Sequence, residues 1–149
     1  MEIKISTENG RVPVTVIAAT GNIDTSVFEI FMSKAQEVIN GGARYILVDL
    51  TNVPYMSSAG LRVLNAIFSQ LRALNTDMTE DEVLQAINQG VYKSPYLKIL
   101  NLSKQSKVAF ETAGFDMFLE TCCVQCRPHS SARPAYLSPV VQQQAYKIF

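Results

Sequence analysis

The stretch Tyr45-Ile-Leu-Val-Asp49-Leu-Thr-Asn-Val-Pro54-Tyr-Met-Ser57-Ser58-Ala-Gly60-Leu61-Arg-Val-Leu64 decides how the chain folds. Tyr45 to Leu50 is a short continuous apolar run, the pattern of a strand buried on both faces. Asp49 to Pro54 supplies polar turn formers and a proline, so the chain leaves the sheet there. From Ser58 or Ala59 onward, Leu61, Leu64, Ile67, Phe68, Leu71 and Leu74 recur at helical spacing. Ser57 or Ser58 is then the N-cap. A cap hydroxyl lies at a strand-to-helix turn, beside unpaired backbone N–H groups and the positive end of the helix dipole.

Working back from this stretch, Gly41-Gly42 ends a preceding helix whose apolar face is Val27, Phe28, Ile30, Phe31, Ala35, Val38 and Ile39. The loop Thr20-Gly-Asn-Ile-Asp24-Thr25-Ser26 leads into it, with Asp24 as an N-cap or turn residue. Further back, Glu2 to Thr7 reads as an edge strand and Val12 to Ala19 as a β-branched strand. Asn9-Gly10 is a two-residue hairpin turn between them. Pro13 suits a strand start or an edge. Strand, crossover helix and buried strand make a right-handed βαβ unit.

Downstream, Thr79-Glu-Asp-Glu82 is a capping box that predicts a short helix from Glu80 to about Asn88, ended by Gly90. Tyr96 to Leu102 is the next strand, and Ser103 caps a helix ending near Gly114. Phe115, Phe118 and Leu119 form a last apolar patch. From Thr121 to Phe149 the chain reads as a loop-like extension, with Pro128, Ser130, Ser131, Pro134, Ser138 and Pro139. Val140, Val141, Tyr146, Ile148 and Phe149 give it some docking capacity, on this domain or on a second subunit.

Composition narrows the function classes. The 149 residues suit one domain with a real core. Thirteen basic and 13 acidic residues cancel, which leaves no basic field to draw nucleic acid or an anionic membrane. The apolar runs are too short for a membrane span. The opening Met-Glu-Ile-Lys-Ile-Ser has none of the regions of a signal peptide, so a cytoplasmic location is expected. The three cysteines, Cys122, Cys123 and Cys126, are odd in number and clustered, a poor disulfide framework and better read as reduced thiols. Adding His129 does not make a zinc site, because all the candidates fall in one short segment rather than in two separated pairs. No phosphate-binding glycine loop and no paired acid/base carboxylates stand out, and no cofactor is expected. Asp49 reads as a turn residue that hydrogen-bonds the backbone of Thr51-Asn52, not as a catalytic carboxylate.

Asp49-Leu-Thr followed by Ser57-Ser58-Ala59-Gly60-Leu61-Arg62-Val-Leu resembles the central motif of the STAS family, the anti-sigma factor antagonists. There the motif often reads Asp-Ser-Ser-Gly-Leu or Ser-Ser-Ala-Gly-Leu. The serine two residues before the Gly-Leu pair is the regulatory phosphorylation site, and it matches Ser58. Ser57 stands where many members carry an aspartate, which keeps Ser57 as the alternative site. Gly21-Asn-Ile-Asp24 is similar to the family's Gly-x-Leu-Asp, which lies beside the serine. Asn101-Leu-Ser103 and the helix ending Thr-Ala-Gly114-Phe are similar to the family's last strand and helix.

The resemblance implies an α/β domain over residues 1–120: a STAS-like mixed sheet with helices packed mainly on one face. Residues 75–95 are then an insertion with a short helix, and 121–149 a C-terminal extension. It implies a binding protein and not an enzyme: a bacterial partner-switching regulator of transcription. Unphosphorylated, it would bind an anti-sigma factor that is also a serine kinase, through Asp24, Thr25, Ser57, Ser58, Ala59, Gly60, Leu61 and Arg62. Phosphorylation would release it and a phosphatase would reset it. Two other classes stay open at this point. One is a STAS module sensing a nucleotide or other small ligand, marked by saturable binding without a partner. The other is a small thiol enzyme using Cys123 or Cys126, which requires a depressed thiol pKa.

Overall fold

The computed structural model describes residues 2–9, 13–74, 79–90 and 96–122. The order along the chain is β1 (Glu2–Asn9), β2 (Pro13–Thr20), α1 (Phe28–Asn40), β3 (Tyr45–Asn52), α2 (Ser58–Leu74), α3 (Glu80–Asn88), β4 (Leu97–Leu100), α4 (Lys104–Thr112), a 3-10 turn (Phe115–Met117) and β5 (Glu120–Cys122). The strands form one sheet in the order β1-β2-β3-β4-β5. Only β1 runs antiparallel to its neighbour; β2 through β5 are parallel. A parallel sheet laid down in chain order needs a crossover at each step. With right-handed crossovers, all the connecting helices fall on the same face.

That face holds the core. Ile17 and Ala19 of β2, Ile46, Val48 and Leu50 of β3, and Leu97 and Ile99 of β4 pack with Phe31, Ala35, Val38 and Ile39 of α1 and with Leu61, Leu64, Ile67, Phe68 and Leu71 of α2. Each of these side chains other than the two alanines contributes about 1.5–3 kcal/mol of transfer free energy when fully buried. Alternation turns Val14, Val16, Leu47 and Leu100 to the opposite face, and these are buried as well. Burial on both faces is why Ile46 to Leu50 reads as an apolar run interrupted only by Asp49, itself buried. Phe118 stacks at 4.9 Å on Phe68 and at 5.3 Å on Phe115, which lies 5.6 Å from Phe110. This aromatic row ties the end of α4 to α2.

Several expectations are corrected. The hairpin register pairs Glu8 with Val14 and Asn9 with Pro13, so residues 10–12 separate the strands instead of the pair Asn9-Gly10 alone. Pro13 opens β2, where its missing N–H is least costly. Val12 lies outside the described residues. Leu74, at the last position of α2, and Ile30 of α1 are 48% and 55% exposed and do not join the core. β4 is shorter than Tyr96 to Leu102, because Asn101 takes a left-handed conformation, φ 55°, and turns the chain out of the sheet. Asp49 does not end β3, which runs on to Asn52. Thr121 and Cys122, read as part of a loop-like extension, pair with Ile99 and Leu100 as β5. Cys123, Cys126, His129 and the rest of that extension lie outside the described residues.

Other elements match the reading closely. The capping box of α3 is complete: Thr79 Oγ1 accepts from the Glu82 N–H at 3.3 Å, and Glu82 Oε2 accepts from the Thr79 N–H at 2.8 Å. Ser103 caps α4 by accepting from the Ser106 N–H at 3.1 Å. Gly42, just beyond the C-cap of α1, has φ 96° and closes that helix as a glycine does most readily. No described helix is long and apolar enough to cross a membrane.

Candidate functional site: the serine loop at the start of helix α2

Beyond Asn52 the chain turns over a buried Val53, whose N–H donates to the Leu50 carbonyl at 3.0 Å. Pro54 and Tyr55 are exposed, and Met56, 1% exposed, plugs back into the core. Met56 forms a parallel bridge with Ile23, which is fully buried. Three backbone hydrogen bonds join the two loops: Gly21 N–H to Asn52 carbonyl at 2.9 Å, Ile23 N–H to Tyr55 carbonyl at 3.0 Å, and Ser57 N–H to Ile23 carbonyl at 2.8 Å. The β2–α1 and β3–α2 loops thus prolong the pairing of β2 with β3. Asp24 follows Ile23 as Ser57 follows Met56, so the bridge sets the two side by side on one edge of the domain.

Ser57 occupies the cap position. Its Oγ accepts from the Ala59 N–H at 3.2 Å, and its carbonyl takes the first helical bond from Leu61 N–H at 3.2 Å. Ser57 is half-buried, whereas Ser58, the first residue of α2, is exposed. No acidic side chain lies in the first turn of α2. The partial positive charge of this helix end therefore faces outward beside an exposed hydroxyl.

Gly60 permits the geometry. A Cβ there would lie 2.9 Å from Ile23 Cγ2 and closer still to Met56 Cγ. The first turn of α2 thus sits directly on the Ile23–Met56 bridge. Leu61 turns into the core, Ala59 is half-buried and Arg62 is exposed.

Asp24 does not cap α1. That helix starts after Val27 without a side-chain cap. Asp24 Oδ1 instead accepts from both the hydroxyl and the N–H of Ser26, the latter at 2.9 Å. These bonds, the Ser26 hydroxyl foremost, hold the Asp24 carboxyl below the ordinary aspartate range. Asp24 and Thr25 are both exposed. The expected surface residues are thus split: Asp24, Thr25, Ser58 and Arg62 face solvent, while Gly60 and Leu61 support them from below.

A group beneath the loop was not singled out from the sequence as part of the site. Asp49, 2% exposed, accepts through Oδ1 from the Thr51 N–H at 2.9 Å and from the Thr51 hydroxyl. The expected role in the Thr51 turn is observed. The same hydroxyl accepts from Asn101 Nδ2 at 2.8 Å, and the Ser103 hydroxyl donates to the Pro54 carbonyl at 2.9 Å. These contacts join positions about fifty residues apart, and no local pattern announces them.

With this geometry in place, the relationships of the chain are plain. Residues 6–79 match the family model of the STAS domain. The fold is that of solved anti-sigma factor antagonists. An antagonist from Mycobacterium paratuberculosis superposes with a TM-score of 0.57 at 15% identity, over 83% of this chain and 89% of that one. The Bacillus cell fate determinant SpoIIAA in its phosphorylated form gives 0.55 at 16% identity, over 83% and 94%. SpoIIAA in its unphosphorylated form gives 0.51 at 17% identity, over 79% and 86%. No curated protein matches the sequence.

Proposed function

We propose that this protein is an anti-sigma factor antagonist that switches partners by phosphorylation of Ser58. Unmodified, it binds an anti-sigma factor that is also a serine kinase, through the edge formed by Asp24, Thr25, Ser57, Ser58 and Arg62. The kinase transfers a phosphoryl group to Ser58 and the complex dissociates; a phosphatase restores the first state. It acts in the bacterial cytoplasm, by binding and not by catalysis. The observation that carries the reading is the division of labour between the two serines. Ser57 commits its hydroxyl to the helix cap, while Ser58 stands exposed at a helix start that has no acid of its own.

The charge balance makes such a switch workable. A phosphoryl group adds about −1.5 to −2 charge at neutral pH. The positive end of α2 lowers the cost of that charge to the domain. A partner surface docked over Ser58 would face repulsion or desolvation instead. Binding can therefore be lost while the fold is kept.

Intact-mass and peptide mass spectrometry of the protein from its own cells tests this directly, with phosphate expected on Ser58. Ser58→Ala should retain the anti-sigma factor and take no phosphate, while Ser58→Asp should bind it at least about tenfold more weakly, about 1.4 kcal/mol. Equal binding by Ser58→Asp and the unmodified protein would remove charge at this helix start as the switch.

A further inference from the structure

The serine loop is held on both flanks, because β3 lies between β2 and β4. On the β2 flank the contacts are backbone to backbone. On the β4 flank they are made by two side chains of the β4–α4 loop. Since the Thr51 hydroxyl gives its proton to Asp49, its oxygen must accept, and Asn101 supplies the amide donor at 2.8 Å. Asn101 is brought to this point by its left-handed backbone, φ 55°, which asparagine tolerates better than most residues. Two residues on, the Ser103 oxygen accepts from the Ser106 N–H as the cap of α4, and it lies 2.9 Å from both the Ser106 hydroxyl and the Pro54 carbonyl. The carbonyl can only accept, so the Ser103 proton serves Pro54 when the Ser106 hydroxyl donates its own to Ser103. One hydroxyl thus serves a helix and a neighbouring loop at once. The two tethers bracket Asn52-Val53 and end three residues before Ser57.

We propose that Asn101 and Ser103 are positioning residues for the serine loop, fixing its path from Thr51 to Met56 and so the way Ser58 is presented at the head of α2. The presentation of Ser58 as a modified residue rests on the function proposed above; the tethering does not.

The two duties of Ser103 can be separated in the full chain. Ser103→Asp keeps an N-cap acceptor for the Ser106 N–H but has no proton for the Pro54 carbonyl. Ser103→Thr keeps both. Asn101→Gly keeps the left-handed backbone and removes the amide. Amide hydrogen exchange of each variant, resolved by NMR, should show the Ile23 and Ser57 amides exchanging about fivefold faster in Ser103→Asp and in Asn101→Gly, the size expected for one lost hydrogen bond. Ser103→Thr should match the parent protein, and the Lys107 and Ala113 amides of α4 should keep their protection in Ser103→Asp. Phosphate on Ser58, measured in the same variants from cells, should fall in Ser103→Asp and recover in Ser103→Thr. Unchanged exchange at Ile23 and Ser57, or loosening of α4 to the same degree, would overturn the proposal and leave Ser103 as a cap alone. A parent protein without phosphate would instead overturn the reading of Ser58, with the exchange data still deciding the tethers.

Discussion

Helix α3 opens on Thr79 with Glu80, Asp81 and Glu82 in its first turn, whereas α2 opens on Ser57 with no acidic residue there. Both are capped through a side-chain oxygen, Thr79 Oγ1 and Ser57 Oγ. The difference is in charge. The acidic side chains of α3 satisfy the positive end of their own helix, and a further anion there would be repelled. At α2 the helix supplies no acid of its own, and the carboxylate the fold brings to that edge is Asp24, from the neighbouring loop. The two starts also differ in what lies beneath them: α2 rests through Gly60 on the Ile23–Met56 bridge, while Val83 is the one buried residue of α3.

The largest expected effect breaks the support of α2. Gly60→Ala forces a methyl group against Met56 and Ile23, both buried, and should cost about 1–3 kcal/mol of stability in denaturant unfolding. A variant as stable as its parent would mean that the first turn of α2 is not held where it lies. Next is the cap of α3. Thr79→Ala should cost about 1 kcal/mol, read by the same unfolding experiment. It should also raise the Glu82 carboxyl only part of the way back to the ordinary range, because the Thr79 N–H, the larger cause of its depression, remains. The folded-state pKa of Glu82 lies below its unfolded value. Its contribution is therefore present above the unfolded pKa and fades as pH falls through the folded one, so carboxyl NMR should show α3 loosening on the acid side. The smallest effect sharpens the contrast in charge. Ser58→Asp should add about 0.3–1 kcal/mol of stability, read as a slightly higher thermal midpoint, since α2 has no acid in its first turn. A gain in stability with a loss of partner binding would separate the fold from the switch.

Features confined to a few successive residues were legible in the sequence. The capping box of α3 lies within Thr79 to Glu82, the buried strand is one short apolar run, and the stripe of α2 follows one period. The serine pair was only half legible: periodicity leaves Ser57 and Ser58 equal as caps, and the hydrogen bond from the Ala59 N–H decides for Ser57. β5, three residues long, is too short to show a period. The tethers from Asn101 and Ser103 were out of reach, because they depend on β4 lying next to β3, a fact of strand order that no local window contains. Tyr55 likewise reads as one more turn residue, although its carbonyl holds Ile23 and its ring stands 40% exposed beside the site.

The strand order has a consequence in time. Synthesis delivers a chain from its N-terminus, while a domain generally folds as a unit. By residue 61 the nascent chain contains every group that builds the β2 flank of the serine loop: Gly21, Ile23, Asn52, Tyr55, Met56, the Ser57 cap and Leu61. The opposite flank must wait for Asn101 and Ser103. A ribosome-bound chain stopped between these points holds the groups for one flank of the serine loop alone, so the loop can be fastened on both sides only once Asn101 and Ser103 have been made.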